Sequence, residues 1–210
     1  MASATRIGTY HATGEIKDSN CSVPSLSDKL LSPPIIAAVN TMDMFEAALN
    51  APPKSLYLLT GNPLTLPKIV KRARDAGKGC LVNVDFLNGL NRDREAIEYL
   101  AAHNVEGIVS TRLDVLKAAQ TLGLFTVQRT FAIDSAAVIA SVKLLTQFVP
   151  DAIEVLPAVV APKVAKRIHV AQPRMKIIGG GLIETVREIE QLLDAGINSV
   201  TVSNEKLWLI

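Results

Sequence analysis

Short apolar runs recur along the chain from Pro34 onward, separated by stretches whose apolar residues follow a helical spacing. The runs are IIAAV (35–39), SLYLL (55–59), CLVNVDF (80–86), GIVST (107–111), FTVQRTF (125–131), AIEVLP (152–157), KIIGG (176–180) and NSVTVS (198–203). Each reads as an extended strand, and a helical segment follows each of the first seven. Leu66, Ile69, Val70 and Ala73 fall on one stripe, as do Ala96, Ile97, Leu100 and Ala101. Val186, Ile189, Leu192 and Leu193 do the same, the pattern of a helix laid over a sheet. Gly77, Gly123 and Gly196 each follow a helical run directly and stop it before the next strand.

Strand, helix and strand with such short joints predict parallel strands and right-handed crossovers. Strict alternation of eight runs favours a closed TIM-type (β/α) barrel over an open doubly wound sheet. The barrel is compact. Pro34–Ile210 is shorter than the ~200 residues at which such barrels usually begin, and only NEKLWLI follows the last strand. A truncated or imperfectly closed barrel, incomplete at its C-terminal helix, is the alternative to a full one. The domain reading is therefore one barrel over 34–210, preceded by a polar arm over 1–33. That arm carries turn formers such as HATGEIKDSN and SVPSLS, and no ordered core role is expected of it.

Composition narrows the function classes. The 210 residues are 49% hydrophobic and 20% charged, which suits one globular domain with a large core. A formal charge of +2 is too small to imply nucleic-acid binding by itself. Two cysteines, Cys21 and Cys80, make no disulfide framework, and Cys80 sits in an apolar run where a buried inert thiol is expected. No secretory signal opens the chain and no apolar stretch reaches the ~18 residues of a membrane span. The expectation is a cytoplasmic protein with no membrane partner.

A parallel barrel carries its chemistry at the carboxyl ends of its strands. That rule selects Asn40; Thr60, Gly61 and Asn62; Asn83 and Asp85; and Ser110, Thr111 and Arg112. The later strands add Gln128 and Arg129, then Glu154 with Lys163 beyond it, then Gly179, Gly180 and Gly181, and finally Ser203 and Asn204. Loops after the seventh and eighth strands often bind phosphate in this fold through backbone N–H groups. GGGLIET and VSNEK are the two parts such a site needs. The alternative is a tight bend that needs glycine for itself alone. Asp85 and Glu154 are charges in apolar strands, costly unless paired or facing a wet pocket. Arg129 is a partner for either, or for a ligand phosphate, and a structural ion pair is the competing reading.

None of His11, His103 and His169 falls at a strand's carboxyl end, so the commonest acid–base residue is missing from the expected site. No lysine lies inside the sixth strand for Schiff-base chemistry, and Lys176 opens the seventh at the opposite end. No His, Cys and carboxylate cluster has zinc spacing. No metal, cofactor or catalytic residue is expected, and the pocket looks built to hold an anion.

PIIAAV (34–39), LLTGN (58–62), VDFLNGL (84–90), GIVSTR (107–112) and the TVQR-F-DS pattern (126–135) carry a recognisable combination. IEVLP (153–157), PKV (162–164), GGGLIET (179–185) and VSNEKLW (202–208) complete it, in order, over essentially Pro34–Trp208. Together they resemble the glycerol uptake operon antiterminator family. The resemblance implies a TIM-type barrel without enzymatic activity. It implies an effector, glycerol 3-phosphate, and a partner, the leader messenger RNA of glycerol-utilisation genes. The chain departs from the family pattern at Asn40, Asn83, Asn88 and Glu184, where members carry Arg, His, an acidic residue, and a basic or small residue. The lost cation and the added carboxylate at positions 40 and 184 both act against a dianion, leaving Arg129 or Lys163 to carry the contact.

Two basic stretches are candidates for the RNA surface: KIVKRARDAGK (68–78), with Lys71, Arg72 and Arg74, and PKVAKRIHVAQPRMK (162–176), with Lys166 and Arg167. The bland alternative for each is a solvated helix face. Aromatic residues are only 4%, so contact through phosphates or through a homo-oligomer is favoured over a base-stacking groove. Against the regulator stands an enzyme of the same fold acting on a phosphosugar or glycerol phosphate, with Asp85 or Glu154 as base. A ligand sensor working through a protein partner is the third reading.

Overall fold

A computed structural model describes residues 25–210. Eight parallel strands close into a barrel in chain order: β1 (Ile35–Val39), β2 (Ser55–Leu58), β3 (Gly79–Asn83), β4 (Gly107–Ser110), β5 (Phe125–Phe131), β6 (Ala152–Leu156), β7 (Lys176–Gly180) and β8 (Ser199–Val202). The helices are α1 (Leu26–Leu31) before β1, then α2 (Met42–Asn50), α3 (Leu66–Asp75), α4 (Arg94–Ala102), α5 (Leu113–Thr121), α6 (Ser135–Leu144), α7 (Ala161–Ala171) and α8 (Val186–Asp194). The closed barrel of the sequence reading is the observed one. Among the described residues, no helix is long and apolar enough to cross a membrane.

Strand alternation sorts side chains into two cores. Ala37, Val39, Leu56, Leu58, Cys80 and Val82 point outward and pack beneath the helices. Ile36, Ala38, Tyr57, Leu81, Val109 and Val127 belong to the separate inner cluster that fills the barrel. The third strand ends earlier than expected, because Val84–Phe86 wind into a 3₁₀ turn. The Asn83 side chain caps that turn by accepting from Asp85 N at 3.1 Å.

Both ends of the described residues contribute closures. The arm becomes helical from its described start: Ser25 and Asp28 form a capping box on α1. Leu30 and Leu31 insert into the inner cluster at the amino-terminal end of the barrel. Leu31 O accepts from Ser199 Oγ at 3.0 Å, and Lys29 pairs with Glu106. The expectation of no core role thus fails for Ser25–Ser32, while residues 1–24, with Cys21 and His11, lie outside the described residues. At the other terminus, a 3₁₀ turn over Glu205–Leu209 stands where an eighth covering helix would follow β8. Trp208 is buried there, and its Nε1 donates to Val202 O at 2.7 Å.

Candidate ligand site at the carboxyl end of the barrel

A cavity of ≈ 390 Å³ opens at the carboxyl ends of the strands, walled by β1, β2, β5, β6 and the loops after β7 and β8. Asn40, Arg129, Glu154, Gly181, Glu184, Ser203 and Asn204 line it, as do Tyr57, Leu182, Ile183 and Thr201. Seven positions singled out from sequence therefore meet around one space, among them five of the expected ligand residues, from β5, β6 and the last two loops.

The floor is a polar network inside an apolar barrel. Glu154 is only 1% exposed. Its Oε2 accepts from Tyr57 Oη at 2.6 Å and its Oε1 from Thr201 Oγ1 at 2.7 Å. Arg129, its register partner across β5 and β6, places Nε 3.3 Å from Oε2. That contact is an ion pair rather than a hydrogen bond: Arg129 Nε and Nη1 are buried without a hydrogen-bond partner among the described residues. The guanidinium lies over two rings, 5.3 Å from the Phe86 centroid and 5.4 Å from that of Phe131. Both distances are in the cation–π range. Burial, and then the Glu154 charge, push the Tyr57 phenol well above its ordinary range, so it stays a neutral donor.

The wall is made of backbone. The N–H groups of Gly181, Leu182, Ile183, Ser203 and Asn204 donate to no acceptor among the described residues. Gly181 and Leu182 have positive φ, 76° and 58°. Leu182 is a bulky, exposed residue in a conformation such residues rarely adopt. The amino terminus of α8 is already closed: Thr185 and Glu188 form a capping box, and Glu188 Oε2 accepts from Glu184 N at 2.9 Å and Thr185 N at 2.8 Å. Free donors are left on the loop before that helix.

Several expected site residues have other tasks. Asp85 is a tie between loops: its Oδ1 accepts from Ser110 Oγ at 3.0 Å and its Oδ2 from Thr111 N at 2.8 Å. Gly179 faces outward, where a Cβ would meet Ala158 Cβ at 3.4 Å. Gly180 faces the floor, where a Cβ would come within 2.5 Å of Glu154 Oε1 and 2.6 Å of Thr201 Oγ1. Two of the three glycines thus serve packing, and Gly181 alone belongs to the cavity wall. Lys163 is exposed on α7 and lines a separate groove of ≈ 180 Å³ with Asp134 and Arg167. Tyr57 and Thr201 were missed. The signal was parity: both occupy inward-facing alternate positions, and each carries a donor at the level of the buried Glu154 carboxylate.

Of the basic candidates, Lys71 pairs with Asp75 at 2.6 Å, and Arg72 holds Glu46 with both terminal nitrogens. Arg72 also lies 5.4 Å over the Phe45 ring, so it braces α2 against α3. Arg74, Lys166 and Arg167 are exposed, and none of the three forms an ion pair among the described residues.

Comparison with known proteins agrees with this architecture. The family model described as glycerol-3-phosphate responsive antiterminator matches residues 35–208. An uncharacterized protein, YgcP, of Escherichia coli (strain K12) is 32% identical over 178 residues, covering 84% of this chain and 92% of its own. The crystal structure of a glycerol uptake operon antiterminator-related protein from Thermotoga maritima MSB8 is 34% identical, with a TM-score of 0.76. It covers 84% of this chain and 98% of its own. The glycerol uptake operon antiterminator regulatory protein from Listeria monocytogenes is 32% identical with a TM-score of 0.79, covering 84% and 95%. By the extent of the family match and the identity of these relatives, the chain belongs to the glycerol-3-phosphate responsive antiterminator family.

Proposed function

We infer that this chain is a glycerol-3-phosphate-responsive transcription antiterminator that binds the leader mRNA of glycerol-utilisation genes in the cytoplasm. The observation that carries the ligand half is the pairing of the loop N–H groups of Gly181–Ile183 and Ser203–Asn204 with the Arg129 guanidinium around one cavity. Backbone donors at this place in a barrel suit a phosphate, and a guanidinium adds charge-assisted bonds. Asp85 and Glu154 are both engaged by neighbouring donors, which favours a regulator over an enzyme that would need one of them as a base.

The RNA half rests on family membership and on the exposed pair Lys166 and Arg167 of α7, which follow the β6 loop. Calorimetric titration tests the ligand. Binding of glycerol 3-phosphate without binding of glycerol is expected, and equal affinity for both would overturn the phosphate site. Product detection after incubation with glycerol 3-phosphate and triose phosphates tests the regulator reading, which catalysed turnover would overturn.

A further inference from the structure

The cavity brings together two surfaces that want different ends of a ligand. The wall offers N–H groups, whereas the floor is the buried carboxylate of Glu154. They adjoin, because a Cβ on Gly180 would lie 2.5 Å from Glu154 Oε1, and the next residue is Gly181. An anion seated on the wall therefore has its remaining atoms beside that oxygen.

Among the described residues Oε1 accepts one hydrogen bond, from Thr201 at 2.7 Å, while Oε2 is taken by Tyr57 and faces Arg129. A carboxylate oxygen has room for two donors, so Oε1 retains one place. An alcohol hydroxyl would fill it with a charge-assisted bond, whereas a second anionic group would meet a carboxylate of the same sign.

We propose that Glu154 is the specificity-determining residue of the cavity, accepting from a hydroxyl on the carbon chain of a small phosphate monoester. It rejects esters whose far end is a carboxylate. The assignment rests on the phosphate-site reading above and adds the ligand's orientation: phosphate at the β7 and β8 loops, alcohol at the floor.

The experiment is calorimetric titration of the full chain with glycerol 3-phosphate, propyl phosphate and 3-phosphoglycerate. Propyl phosphate lacks the hydroxyls, and 3-phosphoglycerate carries a carboxylate. Wild type is expected to prefer glycerol 3-phosphate over either by about tenfold or more, the worth of one hydrogen bond to a charged group. Glu154→Gln, checked for folding by circular dichroism, is expected to narrow the preference over 3-phosphoglycerate most, because the repulsion is gone. If that variant does not fold, Glu154→Asp retracts the carboxylate by one methylene and is expected to narrow the preference over propyl phosphate.

Equal wild-type affinity for glycerol 3-phosphate and propyl phosphate would overturn the hydroxyl contact while leaving the phosphate site standing. A preference unchanged in the folded Glu154 variant would remove Glu154 from the role. Failure of all three esters to bind would overturn the phosphate site, and this assignment with it.

Discussion

Gly180 and Gly181 are neighbours with opposite constraints. A methyl group on Gly180 would enter the Glu154–Thr201 contact, whereas one on Gly181 would have 3.5 Å to Leu156 but sit at φ 76°. Gly180→Ala is expected to destabilise the barrel by about 1–3 kcal/mol through overpacking, read as a lower midpoint in urea. Gly181→Ala is expected to cost about 1–2 kcal/mol of backbone strain and, by shifting the loop donors, to weaken phosphate binding more than stability. Tyr57 makes a separate test. Tyr57→Phe leaves Glu154 Oε2 without its donor at 2.6 Å, an expected loss of about 1–3 kcal/mol. Because burial and the Glu154 charge raise the folded-state phenol above its unfolded value, its contribution is full below the unfolded pKa, near 10. It is lost as the pH rises above that value toward the folded one, since only the unfolded state then releases the proton. Wild type should lose stability more steeply than Tyr57→Phe above about pH 10. Parallel slopes in denaturation from pH 8 to 11 would count against this account.

Elements differ in how plainly they were written. Helices α3, α4 and α8 were legible because each buries one stripe, with Ile69, Ile97 and Ile189 at their centres. The strands were legible because buried parallel strands are continuous apolar runs bounded by turn formers. α1 was not legible. LSDKLL has one helical turn of apolar signal in a polar surround, and the open end of a barrel is what makes Leu30 worth burying. Leu30→Ala is expected to cost about 2–5 kcal/mol in chemical denaturation, the range for a fully buried leucine. A surface-like loss below about 0.5 kcal/mol would show that α1 merely rests on the barrel.

Any coupling between ligand and RNA under the proposed function is a property of the whole molecule. The cavity and α7 share the β6–α7 segment, where Leu156 lines the cavity and Lys166 and Arg167 follow it on α7. Under the proposed function, RNA tightens ligand binding by the same factor as ligand tightens RNA binding, since coupling is reciprocal. Replacing Lys166 and Arg167 together by Glu is expected to weaken leader-RNA binding and to make its logarithmic salt slope shallower by about 2. Ligand affinity without RNA should stay unchanged. An anisotropy titration at two salt concentrations reads all three quantities, and wild-type behaviour of the double variant would turn attention to Arg74. Arg72 is the weaker candidate on that second face, because it is committed to Glu46 and Phe45.

Periodicity alone determined the alternating barrel and the helix faces. Those follow from burial acting on each element separately, and burial is written into the spacing of apolar residues. It also singled out Arg129 and Glu154 within β5 and β6 and Gly181, Ser203 and Asn204 just past β7 and β8, because chain order fixes which loop follows each strand. Closure decided the rest. Only the ring of strands shows that Tyr57 and Thr201, 144 positions apart in the sequence, converge on Glu154. It also shows that Asp85 turns to the β4 loop and that Gly180 must be bare to admit a carboxylate. Inward partners come from strands that are distant in sequence, set by registers that no local pattern records, so the tertiary structure alone assigns each polar residue its neighbour.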